Sequence, residues 1–397
     1  MKLSKKAKNI NPSITLEITA KAKELKDSGV DVVSFSAGEP DFNTPSNILS
    51  AAVTAMNEGK TKYTATPGIL ELRKSICKKL NYDNGLDYNP NQIVVSTGAK
   101  QCLANVFMAI LDDEDEVLVP VPYWVSYTEL IQLAGGVPVT VENLKENSYK
   151  YDVKELAKKV TTKTKAILIN SPNNPTGTIY SKAELMELAE FAKEHNIFII
   201  SDEIYEKLIY DEMEHVSIAS LSKDAYERTI VINGFSKTYA MTGWRIGYTA
   251  SSVELAKAMG SIQSHMTSNT NSITQYAAIE ALEGPQLEIN NMIIEFEKRR
   301  NYMASRLENI NDITYIRPQG AFYIMVNIEA FYGKSINGNV INSSLDFSKI
   351  ILEDKKVAVI PGEGFGLNGF IRLSYATSME NIETGLDRIG QFCNELI

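Results

Sequence analysis

The chain has 397 residues, of which 44% are apolar and 22% charged, and its formal net charge is −9. That length exceeds one ordinary core and points to two domains. The acidic balance, with no basic block to follow a phosphate backbone, argues against nucleic-acid binding. Cys77, Cys102 and Cys393 are scattered, as are His195, His215 and His265, so neither a metal site nor a Ser-His hydrolase is easily assembled. Met1–Lys8 is basic but has no apolar secretory stretch, and no apolar run nears the ~20 residues of a membrane helix. A cytoplasmic enzyme with a short N-terminal arm is expected.

In chain order, Ile93–Ser96 reads as a strand, followed by a turn and a helix over Gln101–Ile110. Strands follow at Glu116–Pro120, Val137–Val141 and Ala166–Asn170. An amphipathic helix over Lys182–Ala192 leads to strands at Ile197–Ser201, Thr229–Asn233 and Trp244–Thr249. Short, continuously apolar strands separated by helices predict an α/β fold with a mostly parallel central sheet sandwiched by helices. Beyond residue 285 the pattern changes. A long helix covers Asn291–Arg300, and strands at Ala321–Val326 and Phe370–Ser374 suggest a smaller α+β unit. The polar Ser335–Ser344 stretch reads as an exposed loop. The expected division is an N-terminal arm with part of the small domain over 1–45, a large domain over 46–285 and a small C-terminal domain over 286–397.

Parallel sheets of this kind place ligands beyond the C-terminal ends of their strands. Gly98 and Lys100 follow the first strand, Trp124 the second, and Asn174, Asp202 and Lys237 follow later ones. A lone lysine is ordinarily a solvated surface charge, so the companions of Lys237 decide its meaning. Lys237 leaves a strand in a Gly-containing turn, and Arg245 comes eight positions later. An amine able to form a Schiff base, near an arginine for a phosphate, suggests pyridoxal 5′-phosphate (PLP). That cofactor works as an electron sink when its ring nitrogen is protonated, which a neighbouring carboxylate favours. Asp202 ends an apolar strand and could serve, or could simply cap a helix. Tyr205, three residues on, and Asn174, in the rigid turn Ser171-Pro-Asn-Asn-Pro-Thr-Gly177, could both donate to the phenolic oxygen. Ser96–Gln101 opens a helix after a strand and suits a phosphate. Trp124 is either core or a flat surface for the ring. Arg372 sits inside an apolar strand and needs an anionic partner, whether a structural carboxylate or a substrate.

These pieces occur in the order of the class I/II aminotransferases, which are fold-type I PLP enzymes, and the resemblance covers nearly the whole chain. It rests on Ala37-Gly-Glu-Pro-Asp41, Tyr63 within Lys60–Gly68, Ser171–Gly177, Asp202-Glu-Ile-Tyr205, Ser236–Arg245 and Arg372-Leu-Ser-Tyr375. Pro122–Tyr127 and Gly98-Ala-Lys-Gln101 further resemble the bacterial subgroup Ib aspartate aminotransferases. The resemblance implies that Lys237 joins the cofactor aldehyde, Asp202 pairs with the ring nitrogen, and Asn174 and Tyr205 hold the phenolic oxygen. It implies that Trp124 stacks on the ring, and that Arg245 with the amides of Gly98, Ala99 and Lys100 holds the phosphate. Tyr63 is expected to reach the neighbouring subunit's phosphate in a homodimer. Arg372, Gly38 and Asn174 are expected at the substrate α-carboxylate, and Lys100 and Thr15 at the distal one. Gly234 departs from the pattern, since other members carry a phosphate-binding serine there.

The implied reaction is ping-pong transfer of the amino group of L-aspartate to 2-oxoglutarate. Prephenate or aromatic donors on the same scaffold, and a PLP-dependent C–S β-lyase, are the alternatives.

Overall fold

The computed structural model describes residues 2–10, 12–143 and 148–397. Seven strands form the main sheet: β1 (Ile93–Ser96), β2 (Glu116–Val121), β3 (Val137–Glu142), β4 (Thr164–Asn170), β5 (Phe198–Asp202), β6 (Thr229–Gly234) and β7 (Gly247–Ala250). Their order is β1-β7-β6-β5-β4-β2-β3. All pairings are parallel except the two made by β7, which runs against both β1 and β6. Successive side chains of a strand point to opposite faces. On one face Val94, Val119, Leu168, Ile200 and Ile232 pack with Leu103, Val106 and Phe107 of the helix Ala99–Ile110. On the other, Leu118, Ile167, Ile169 and Ile199 pack with Leu185, Leu188 and Phe191 of the helix Lys182–Glu194. Each such side chain contributes about 1.5–3 kcal/mol of burial free energy. Two covered faces explain why these strands read as unbroken apolar runs rather than as alternating ones.

Trp244–Thr249 does not form one strand. Thr242–Trp244 is a 3-10 turn, Arg245 takes a left-handed φ of 55°, and β7 begins only at Gly247. The turn aims Arg245 at Gly98 instead of extending it along the sheet. Ser335–Ser344 is not simply a loop either. Ser335–Ile336 pairs with Asn339–Val340 in a hairpin whose turn residues, Asn337 and Gly338, have φ of 51° and 80°. Asn-Gly tolerates positive φ at both turn positions, as a tight hairpin turn requires.

A second, antiparallel sheet holds Thr314–Ile316, Tyr323–Asn327, Ile360–Pro361 and Phe370–Ser374. Val33–Ser34 pairs in parallel with Val357–Ala358, and Val33 and Phe35 share a core with Leu386 and Ile389 of the last helix. The N-terminal segment is thereby tied to the C-terminal elements. Among the described residues, no helix is long and apolar enough to cross a membrane.

Candidate active site

The C-terminal ends of β1, β2, β4, β5 and β6 open on one cavity of roughly 560 Å³. Thr15, Gly38, Ala99, Lys100, Trp124, Asn174, Asp202, Tyr205, Lys237 and Arg245 all line it. Gly98 packs against Arg245 at its edge, and Arg372 lies behind Asn174. Tyr63 is not among the lining residues and is 90% exposed in the single chain.

Asp202 is the last residue of β5 and is buried. The Tyr127 hydroxyl donates to its Oδ2 at 2.7 Å, and the Ile204 N–H to its Oδ1 at 3.2 Å. Loss of solvation pushes the carboxyl up to about 6, against the pull of those two bonds and of the Lys237 charge. No basic side chain is bonded to it among the described residues. A buried acid of this kind fits a protonated ring nitrogen.

Lys237 follows β6, and its ammonium donates to the Gly38 carbonyl. The residue as a whole keeps some exposure, but the amine is enclosed by the cavity walls. Burial lowers its pKa to about 8; Arg372 and Arg245 add to the fall, while Glu39 and Asp202 oppose it.

The phosphate end is built on backbone geometry. Gly98 caps the helix Ala99–Ile110 with φ of 86°, and a Cβ there would lie 2.7 Å from the Arg245 guanidinium. Only glycine lets the arginine approach this closely. The Gly98 N–H is turned to the Ser96 carbonyl at 2.7 Å and the Gln101 N–H to the Gly98 carbonyl at 3.0 Å, so the expected Gly98 amide contact is not poised here. The Ala99 and Lys100 amides, with the helix dipole and Arg245, form a cradle for an anion. Gly234 lies in β6, where a Cβ would meet the Gly247 Cα at 3.0 Å, so this position serves close strand packing.

Arg372 is 2% exposed. Its guanidinium donates to Asn174 Oδ1 at 3.1 Å and to the Ser36 carbonyl at 3.2 Å, and its Nε is buried without a partner. No acidic side chain among the described residues is bonded to it. A buried cation held only by neutral oxygens, with one donor unused, fits a carboxylate arriving from outside. Asn174 is fixed in turn by Asn170, whose Oδ1 accepts the Asn174 N–H at 2.8 Å.

Lys100 reaches over the Trp124 indole, 5.0 Å from the ring centre, and its pKa is lowered by burial and by Arg245. The Thr15 hydroxyl is buried and unpartnered.

Among the cavity residues to which sequence reasoning gave no role, Tyr127 and Tyr323 stand against the candidate residues. Tyr127 closes the Pro122–Tyr127 run that carries part of the resemblance, but no role was attached to it there. Tyr323 opens an apolar strand and reads as core. Its ring lies under the Arg372 guanidinium at 4.2 Å, and its hydroxyl is 3.0 Å from that of Tyr205.

The family model for aminotransferase class I and II matches residues 30–389. The chain is 50% identical over 392 residues to an aspartate aminotransferase of Bacillus subtilis (strain 168), covering 99% of each chain. It is 48% identical over 396 residues to a probable aspartate/prephenate aminotransferase of Aquifex aeolicus (strain VF5), again covering 99% of each. Among solved structures, an aspartate aminotransferase from Rhizobium meliloti superposes with a TM-score of 0.97 at 40% identity, covering 100% of both chains. The Thermus thermophilus aspartate aminotransferase with maleate gives 0.93 at 41% identity, covering 98% of this chain and 99% of that one.

Proposed function

Because the chain belongs to the class I and II aminotransferases, which use pyridoxal 5′-phosphate on the fold-type I scaffold, we propose that it transfers the amino group of L-aspartate to 2-oxoglutarate, giving oxaloacetate and L-glutamate. The reading is supported by relatives of about half-identical sequence that carry this activity in their names. The observation that carries it is the incompletely bonded Arg372 guanidinium behind a cavity that also holds Lys237, Asp202 and Lys100. Of the cations at this cleft, Lys237 and Arg245 are given to the cofactor, and the remaining two, Arg372 and Lys100, suit a substrate with two carboxylates.

In this reading Asp202 holds the ring nitrogen, Asn174 and Tyr205 the phenolic oxygen and Trp124 the ring face. Arg245 and the amides of Ala99 and Lys100 hold the phosphate, with Gly98 leaving room for the Arg245 guanidinium. When bound, the cofactor supplies an electron sink for the substrate α-carbon. Arg372, with Asn174 and Gly38, grips the α-carboxylate and orients the Cα–H bond. Lys100, with Thr15, receives the distal carboxylate. The Lys237 Nζ, neutral once released, removes the proton from Cα; its lowered pKa keeps a useful neutral fraction near pH 8. We further infer that the elements formed by residues 1–45 and 286–397 close over residues 46–285 when Arg372 binds substrate, excluding water.

The same residues suit prephenate, which also carries two carboxylates. A second hollow of roughly 450 Å³ beyond Lys100, lined by Ile10, Ile14 and Tyr123, leaves room for this larger 2-oxo acid as the amino acceptor. We also place the protein in the cytoplasm as a homodimer. Its three free thiols suit a reducing compartment. The helix Ser46–Asn57 exposes Leu49, Val53 and Met56 on one face, and a second copy would cover them. A hollow beside Arg245, lined by Thr97, Asn271 and Thr274, would receive the partner's Tyr63 segment.

The test compares Lys100→Ala with the parent on aspartate and on alanine. kcat/KM for aspartate should fall by about 10- to 100-fold, the worth of a charged hydrogen bond, with little change for alanine. Equal losses on both donors, or pyruvate released from a thioether amino acid without any 2-oxo acid, would count against the reading.

A further inference from the structure

We propose that Tyr323 is a positioning residue: it donates its hydroxyl hydrogen to Tyr205 and so strengthens the bond that Tyr205 gives to the phenolic oxygen of the bound cofactor. This rests on the reading of Tyr205 above and extends it to a residue with no assigned part in the reaction.

Tyr323 is 1% exposed, lines the cavity and places its hydroxyl oxygen 3.0 Å from that of Tyr205. One proton lies between the two oxygens, and either could give it. A bound cofactor removes that freedom. If Tyr205 donates outward to an anionic oxygen, its own oxygen is left as acceptor, and Tyr323 must donate. Hydrogen bonds in such a chain polarise one another, so the inner donor sharpens the outer one. Burial makes the Tyr323 phenol a weaker acid, and Glu39 adds to this; the Arg372 guanidinium, 4.2 Å from its ring centre, works against both by drawing electron density from the phenol and supports it as a donor. The arrangement is rigid. Tyr323 pairs with Ser374 across antiparallel strands, and Arg372 is the diagonal neighbour two residues along. The Tyr205 and Tyr323 rings meet edge-on at 5.9 Å, which leaves the hydroxyls facing each other.

The consequence is a proton affinity. A stronger donor at the phenolic oxygen stabilises its anionic form and makes the neighbouring Lys237 nitrogen give up its proton at lower pH. Tyr323→Phe keeps the ring beneath Arg372 and removes only the hydroxyl. In the holoenzyme, the pH midpoint of the visible absorbance change should rise by a few tenths of a pH unit. The apo-protein should bind pyridoxal 5′-phosphate several-fold more weakly by tryptophan fluorescence. Tyr205→Phe should raise the midpoint further, and the double variant should match Tyr205→Phe alone, because Tyr323 acts only through Tyr205. If Tyr323→Phe does not fold, fluorinating the phenol at position 323 keeps its shape and makes it a stronger donor, and the midpoint should fall. A folded Tyr323→Phe with an unmoved midpoint, a double variant whose shift is the sum of the singles, or a fluorinated protein identical to the parent overturns the proposal. A Tyr205→Phe midpoint equal to that of the parent overturns the reading of Tyr205 beneath it.

Discussion

Asp202 is the group whose chemistry depends most on its surroundings. An aspartate in an unfolded chain loses its proton near pH 3.9, whereas in the cofactor-free fold burial raises that to about 6. The raised value means that the folded state prefers the protonated form. Its stabilising contribution is complete below about pH 4 and is lost as pH rises through 6, up to about 3 kcal/mol at roughly 1.4 kcal/mol per unit. Asp202→Asn cannot charge and should escape this loss. Urea unfolding of the cofactor-free proteins at fixed concentration should show the asparagine variant gaining on the parent between pH 4 and pH 7. Parallel pH profiles would contradict the assignment. Lys237, Asp202, Asn174 and Arg372 were legible because each breaks an apolar pattern or sits in a Gly/Pro turn. Tyr127 and Tyr323 break nothing, since a tyrosine on a core face is what packing alone would select.

The elements of the main sheet were legible because each strand is a short run buried on both faces, bounded by turn residues. The Arg245 segment was not. Trp244 and Ile246 continue the apolar character of β7 backwards, but Arg245 must take a positive φ to reach Gly98, and that tertiary demand stops the strand at Gly247. The hairpin at Ser335–Val340 was hidden by its composition, since Asn and Gly are as common in loops as in tight turns. Gly338, at φ of 80°, has open space where a Cβ would stand, so only backbone strain opposes a side chain. Gly338→Ala should cost about 1–2 kcal/mol, read as a lower melting temperature with kcat unchanged. A melting temperature equal to the parent's would show that the turn does not hold this conformation.

At the scale of the molecule, one chain leaves an apolar stripe uncovered and Tyr63 outside its own cavity. Ile48, Ala52 and Ala55 of the helix Ser46–Asn57 are buried, while Leu49, Val53 and Met56, at four- and three-residue spacing, face out. A sequence shows both stripes but not which of them the fold leaves facing out. Val53→Asp places a charge in the exposed stripe. With the proposed homodimer built on this stripe, the parent should weigh twice the 44.1 kDa chain mass in light scattering, and the variant should shift toward the single-chain mass and retain cofactor less well. A dimer of unchanged affinity would move the interface elsewhere. The proposed reaction depends on one lysine being covalently joined to the cofactor beyond the C-terminal end of β6. Borohydride reduction of the holoenzyme followed by peptide mapping tests this most directly. The expected result is a single pyridoxyl group on the Lys237 Nζ, with neither label nor turnover in Lys237→Ala. A label on another lysine, or an active holoenzyme that takes no label, would contradict it.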